Sequence, residues 1–415
     1  MSGEEALWRV FGRIGILSFG GPAAQIALMH RELVETRDWL SEEEYLRALS
    51  FCMLLPGPEA MQLATYAGWK RAGLRGGLIA GGLFVLPGAA VILMLAALYT
   101  AFGTLPLVEG LFLGIKAAVV VIVLEALLRV ARRALKGIAT RVIAVVAFVA
   151  IFVLGVPFPV IVLAAALAGA LLLKTEAPAP TPFPDLKRLL APIVAGLVIW
   201  WFPIALLLLA GQTFLVAVGL FFSKLAVVTF GGAYAVLAYM TQTVVQDHGW
   251  ISTAEMMDAL GLAETTPGPL ILVTEFVAFL AGSHQGGAVL AVAAAAVALW
   301  VTFVPCFLWV FAFAPYIEWL AGRPRLTAAL AGVTASVVGV IGSLTLWFAL
   351  HLFFGGIGEW QLGPLSLPIV RTGAFDSHAA GIAAVAGYLL LGRHWPLLVV
   401  LALSALAGAA FALPA

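Results

Sequence analysis

The chain says the same thing twice. Phe19-Gly20-Gly21, Asp38-Trp39-Leu40-Ser41 and Leu55-Pro56-Gly57-Pro58 return as Phe230-Gly231-Gly232, Gly249-Trp250-Ile251-Ser252 and Thr266-Pro267-Gly268-Pro269, each 211 residues later. A further echo, Gly114-Ile115-Lys116-Ala117 against Gly332-Val333-Thr334-Ala335, has slipped to 218, so a few residues entered the second copy. Matches in one order and near-constant register mark a duplication. The repeated motifs carry Gly and Pro inside apolar sequence, the pattern of duplicated membrane folds with broken helices.

The medium follows from composition. The chain is 63% hydrophobic and 10% charged, with a mean hydropathy of +1.10, outside the range of water-soluble domains. Apolar runs of about 18 residues or more recur along its length, so it reads as a polytopic membrane protein. The acidic start, Met1-Ser2-Gly3-Glu4-Glu5, does not resemble a cleaved signal peptide. A net charge of +1 points to no nucleic-acid partner. Cys52 and Cys306 sit in apolar runs and read as buried thiols rather than a disulfide or metal site. The longest polar stretch, Lys174 to Arg188, is a short Pro-rich linker.

These features predict an all-α membrane protein of two inverted homologous repeats. Residues 1–174 form the first repeat, 175–211 a linker with an extra span, and 212–415 the second repeat. Leu7 to Thr36 and Ser41 to Lys70 are helical segments broken at their middles, followed by spans at Gly76–Phe102, Pro106–Arg129, Val142–Val156 and Phe158–Leu173. After the extra span Leu189–Ala210, the broken pattern restarts with Phe214–Gln246 and Thr253–Ala281. Spans Gly286–Phe313, Leu326–Phe353, Ala379–Leu391 and Trp395–Leu413 complete it. Five plain crossings precede the second copy, and the broken pair adds zero or two, so the second copy enters from the opposite face. Lys70, Arg71, Arg75, the Arg129–Arg141 cluster, Lys174, Lys187, Arg188, Arg323, Arg325 and Arg393 fall on the side of the N-terminus. The connections near Phe102, Val156 and Gly211 carry no Lys or Arg, which predicts a cytoplasmic N-terminus and an outer C-terminus. Leu7 to Thr36 would be about 45 Å long as one helix, against a core of about 30 Å, so re-entrant hairpins are the favoured form.

The broken tips are the candidate site. Each tip starts a half-helix whose unpaired N–H groups and positive dipole end favour an anion. Pro22, Pro58 and Pro269 suit a first helical turn, with Gly21, Gly57 and Gly268 before them. Gly also lets a ligand approach the backbone, although Gly and Pro can equally serve close packing or kinks. The substrate-binding candidates are Gly20, Gly21, Pro22, Gln25, Pro56, Gly57, Pro58, Gln62, Lys116, Gly231, Gly232, Thr265, Thr266, Pro267, Gly268 and Pro269. Ser18 and Thr229 flank the tips as hydroxyl donors. Lys116 lies inside an apolar span, where it either attracts an anion or neutralises a carboxylate such as Glu125 or Glu109. Arg13 and Lys224, each six residues before a Phe-Gly-Gly, are expected to snorkel toward headgroups. Glu59 and Glu264 are candidate proton or coupling sites. Protonation of Glu59 would be favoured by a neighbouring anion, which is the sign of symport, so a proton antiport is not established.

Phe19-Gly20-Gly21-Pro22, Asp38-Trp39-Leu40 and Leu55-Pro56-Gly57-Pro58 resemble the signature of the chromate ion transporter family. The versions around Phe230 and Pro267 resemble its paired C-terminal domain, and the likeness covers nearly the whole chain. The resemblance implies a prokaryotic inner-membrane protein that exports chromate and confers resistance, with sulfate as the structural look-alike. This chain departs from perfect symmetry: Ala233 stands opposite Pro22, Thr334 opposite Lys116 and Leu270 opposite Glu59. The halves are therefore not expected to contribute equally.

No nucleophile–base pair or metal-type spacing is legible among His30, His248, His284, His351, His378 and His394, which argues against an enzyme or a bound cofactor. The expected partners are a chromate- or sulfate-like oxyanion and the lipid bilayer, with homodimerisation left open. An inward sulfate carrier and a passive anion channel remain the rival readings.

Overall fold

A computed structural model describes residues 3–173, 186–230, 233–317, 323–355, 357–362, 365–370 and 375–412. The linker at 174–185 and the Gly231-Gly232 tip lie outside them. The first repeat comprises α1 (Gly3–Leu17), α2 (Gly21–His30, extended by a π-helical turn Arg31–Glu35), α3 (Glu42–Cys52), α4 (Glu59–Phe102), α5 (Pro106–Ala134), α6 (Ile138–Phe152) and α7 (Phe158–Leu172). The extra span is α8 (Leu186–Leu209). The second repeat comprises α9 (Thr213–Val228), α10 (Ala233–Thr241, with a π-helical turn Gln242–Asp247), α11 (Thr253–Thr265), α12 (Val273–Phe313), α13 (Pro324–Phe353), α14 (Ser377–Gly387) and α15 (Leu397–Ala412).

The repeat is as visible in local structure as in sequence. Ser41 and Glu44 form a reciprocal capping box that starts α3, and Ser252 and Glu255, 211 residues on, do the same for α11. α4 is kinked at Ala72–Gly73 and α12 at Gly286–Gly287, now 214 apart. The three added residues are a 3-10 turn, Leu270–Leu272, before α12. Each kink is a full reversal. A Cβ on Gly68 would strike the carbonyl of Gly76, and one on Gly282 would lie 2.6 Å from that of Leu290. Eight residues along a straight helix would separate these atoms by about 12 Å.

Both broken segments of the first repeat fold back, as re-entrant hairpins require. Phe11 of α1 and Trp39, beyond α2, have ring centroids 6.2 Å apart. Glu44, at the start of α3, pairs with Lys70, at the end of the first half of α4. Ion pairs cluster on and beside the turn after α2 and along α3: Glu32 with Arg37, Arg13 of α1 with Glu32 at 3.7 Å, and Arg47 with Glu43 within α3 at 2.7 Å. Arg13 keeps 61% of its side chain exposed.

Among the described residues, five helical stretches are long and apolar enough to cross a membrane: Glu59–Phe102, Pro106–Ala134, Leu189–Leu209, Leu270–Tyr316 and Pro324–Phe353. Four expected spans are shorter. α6 and α7 have 15 residues each, about 22 Å of helix, and α14 and α15 have 11 and 16. They occur as consecutive pairs, so the odd crossing count before α9 holds whether or not each pair spans. A second departure from the expected all-α fold is an antiparallel hairpin, Ile357–Leu362 with Leu365–Val370, between α13 and α14.

The chain forms two compact units that do not follow the repeat boundaries. One takes Met1–Ala97, Thr175–Ala233 and Thr266–Thr327; the other takes Leu98–Lys174, Tyr234–Thr265 and Ala328–Ala415. Inside the second unit the repeats exchange helices. Gly114 of α5 packs on Ser404 of α15 and Gly110 on Gly408, while Gly332 of α13 packs on Gly169 of α7. Because no hydrophobic gradient drives helices together in lipid, glycine contacts of this kind bring backbones close enough for dispersion to hold them.

Candidate functional site

In the first unit the broken ends are bonded crosswise between the repeats. Gly57 N–H donates to the Thr229 carbonyl at 2.8 Å, and Gly268 N–H donates to the Ser18 carbonyl at 2.8 Å. Position 57 corresponds to 268 and 18 to 229 under the same shift of 211, so the two bonds are one interaction made twice. They satisfy carbonyls that chain breaks would leave bare at membrane depth. Two of the amides expected to face an anion are therefore already occupied.

Both donors need glycine. Gly57 has φ 118 and Gly268 φ 91, where an L side chain is strained. A Cβ on Gly57 would also lie 2.8 Å from Cys306 Sγ, and one on Gly268 2.8 Å from Leu272 Cδ1. The flanking hydroxyls are turned back on their own helices: Ser18 to the Ile14 carbonyl at 2.6 Å, Thr229 to Leu225 at 2.6 Å, and Thr265 to Leu262 at 2.8 Å. Gln25 and Gln62 brace the tips. Gln25 Nε2 donates to the Gly268 carbonyl at 2.7 Å and Gln62 Nε2 to the Pro56 carbonyl at 2.7 Å. The Oε1 atoms of both glutamines are buried without a hydrogen-bond partner among the described residues.

The tips differ in openness. Pro267, Gly268, Pro269 and Leu270 are all buried, and a Cβ on Gly88 of α4 would strike the Pro267 carbonyl. Around the first tip Gly20, Gly21 and Pro22 are only half-buried, and a Cβ on Gly21 would meet nothing within 4 Å. Gly20 and Gly21 are both left-handed, with φ 83 and 76, so their successive amides precede the N-terminus of α2, where Pro22 stands in the first turn. At the second tip Pro58 immediately precedes α4, and Glu59 is its first residue, half-buried.

In the second unit Lys116 has a partner that the sequence did not name. Its Nζ lies 3.0 Å from Asp258 Oδ1, and the Tyr99 hydroxyl donates to Asp258 Oδ2 at 2.8 Å. Glu125, one of the carboxylates expected beside Lys116, instead binds Arg129 at 2.6 Å. Asp258 sits within the broken helix α11, away from the Gly-Pro tip. The only sequence signal was an acid in an otherwise apolar turn, Asp258-Ala259-Leu260-Gly261-Leu262. The equivalent positions of the other repeat are Thr334 and Arg47, so this ion pair is not duplicated. Glu264, also in α11, is buried and accepts a 2.8 Å hydrogen bond from the Tyr234 hydroxyl. Its equivalents, Met53 and Ala23, carry no such chemistry.

A multi-pass helical membrane fold, duplicated and broken at Gly-Pro tips that bond across the repeats, defines a class of membrane transport proteins. The family model described as "Chromate transporter" matches residues 6–170 and again 216–409, once on each repeat. A probable chromate transport protein of Synechococcus elongatus is 30% identical over 93% of this chain and 95% of its own length. A chromate transport protein of Pseudomonas aeruginosa is 32% identical over 82% of this chain and 80% of its own. One from Cupriavidus metallidurans is 29% identical over 80% and 79%. No solved structure matches. The chain belongs to the chromate transporter family.

Proposed function

We propose that this protein carries chromate out of the cytoplasm across the inner membrane, with its N-terminus inside, its C-terminus outside and its repeats inverted. The observation that supports the reading is the crosswise bonding of the breaks, Gly57 to Thr229 and Gly268 to Ser18, with Gly21 left open. The first tip, Gly20-Gly21-Pro22, then supplies free backbone amides to a tetrahedral dianion. The first turn of α4 after Pro56-Gly57-Pro58 adds its positive end. Gln25 and Gln62 hold the tips in place, and the Pro267-Gly268-Pro269 tip with Thr265 and Thr266 supports them; Gly231 and Gly232 take the corresponding part in the third tip. Lys116 contributes to selectivity through the charge that Asp258 otherwise neutralises. Glu59 and Glu264 are the carboxyls whose proton occupancy an anion would alter.

The membrane potential is a sufficient drive. Two negative charges leaving an inside-negative cell gain about 4.6 kcal/mol per 100 mV, enough for a gradient on the order of a thousandfold. Everted vesicles test the proposal. Chromate should accumulate under an interior-positive potential, with saturation, sulfate competition and counterflow. Flux without counterflow would mark a passive channel, and net movement of sulfate in the cytoplasmic direction would mark an uptake carrier.

A further inference from the structure

Four carboxylates are buried among the described residues: Glu32, Asp258, Glu264 and Glu275. Three have named partners, namely Arg37 and Arg13, Lys116 and Tyr99, and Tyr234. Glu275 differs. It is 1% exposed, and its Oε2 has no hydrogen-bond partner among the described residues. It lies in the first turn of α12, seven residues beyond Gly268 and directly after the 3-10 turn that sets this half-helix apart from its counterpart in α4.

The elements packed on this helix leave it uncompensated. α8 carries Lys187 and Arg188 only at its start, and α9 carries only Lys224, which is exposed. The 3-10 turn Leu270–Leu272 has no titratable group, the turn Ala314–Tyr316 has only Tyr316, and α12 itself adds His284 and Cys306. α4, α1 and α2, which reach the adjacent tip through Gly88, Ser18 and Gln25, carry Glu59, Tyr66, Lys70, Arg71, Arg75, Tyr99, Glu4, Glu5, Arg9, Arg13 and His30. None of those whose side chains are described forms an ion pair with Glu275. Its counterpart in α4 under the shift of 214 is Met61, so the acid belongs to one repeat alone.

An unpaired carboxylate in such surroundings is held neutral by taking a proton from water, and an ionisable group at membrane depth points to function by default. We propose that Glu275 is a proton-binding site of the transporter, whose neutral form supports the anion at the broken-helix ends and whose ionised form repels it. The transfer is a simple exchange: Oε2 gains a proton from water as the anion binds and returns it when water reaches α12. Proton and anion binding then favour each other by the same factor. The inference rests on the transport reading above.

The experiment compares wild type, Glu275→Gln and Glu275→Asp in proteoliposomes at a clamped potential, over as wide a pH range as the protein tolerates. The readout is the ratio of wild-type to Glu275→Gln chromate affinity at each pH, in which the substrate's own titration cancels. The ratio should be near one at the acid end and fall about tenfold at the alkaline end, while Glu275→Asp should keep the pH dependence with a moved midpoint. A ratio flat with pH, or a correctly inserted Glu275→Gln protein that is inactive at every pH, overturns the proposal. If Glu275→Gln fails to insert, a Glu275→Asp profile superimposable on wild type overturns it equally. Wild-type vesicles without chromate flux would instead refute the transport function, and this site with it.

Discussion

Lys116 offers the sharpest test, because its partner is now defined. Nζ and Asp258 Oδ1 are 3.0 Å apart, with 18% and 9% of the side chains exposed, and Tyr99 holds the other carboxylate oxygen at 2.8 Å. Removing one member of a buried pair leaves an uncompensated charge and costs about 3–5 kcal/mol. Lys116 retains some exposure, so Lys116→Gln should cost about 3 kcal/mol, the low end of that range. Asp258→Asn should cost about as much, since it strands the ammonium. The double mutant leaves no unpaired charge and should cost well under the sum, giving a coupling of about 2–3 kcal/mol. Reversible unfolding in mixed micelles measures the four corners of the cycle. Chromate flux in vesicles then separates two roles for the lysine. Flux restored in the double mutant means that Lys116 only neutralises Asp258; stability restored without flux means that the ammonium attracts the anion. Additive destabilisation, with no coupling, would refute the ion pair as the organising contact of this unit.

The remaining tests are simpler. Gly57→Ala and Gly268→Ala should each cost about 1–3 kcal/mol from left-handed backbone strain, and should lower membrane yield, since the added carbon meets Cys306 or Leu272 at 2.8 Å. Gly21→Ala carries the same left-handed strain of about 1–3 kcal/mol but its Cβ meets nothing within 4 Å, so it should reach the membrane in higher yield than Gly57→Ala and lose chromate flux; full flux would exclude the first tip from the site. Single cysteines at Glu43 and Ala254, in a background lacking Cys52 and Cys306, should label from opposite faces of intact cells; both positions are exposed, and labelling from one face alone would end the inverted-repeat topology. His30 hydrogen-bonds Glu42 through Nε2 at 2.6 Å and Glu35 through Nδ1 at 3.1 Å, and the Glu42 bond, with Glu35 in support, holds its pKa above the ordinary histidine value. The stability it adds is full below the unfolded value of about 6.5 and disappears as pH rises through the higher folded value. His30→Gln should flatten thermal stability across that window, and an unchanged pH profile would show that the histidine is uncoupled.

The amino-acid sequence by itself determined the medium, the duplication and the positions of the breaks. Apolar runs cannot be hidden in water, and Gly-Pro pairs at a constant offset of 211 interrupt helices wherever they fall. It also carried the hairpin form of the first repeat, because about 45 Å of helix overshoots a core of about 30 Å. Only the tertiary structure decided which groups meet. That Gly57 reaches Thr229 and Gly268 reaches Ser18, and that Asp258 rather than Glu109 or Glu125 faces Lys116, join residues far apart in the chain; that Glu275 Oε2 is left without a hydrogen-bond partner among the described residues is likewise a matter of packing. Local periodicity fixes which face of a helix a residue occupies, but not which helix comes to cover it. In lipid that choice falls to close backbone packing at small residues such as Gly114 and Gly332, which hydropathy does not register.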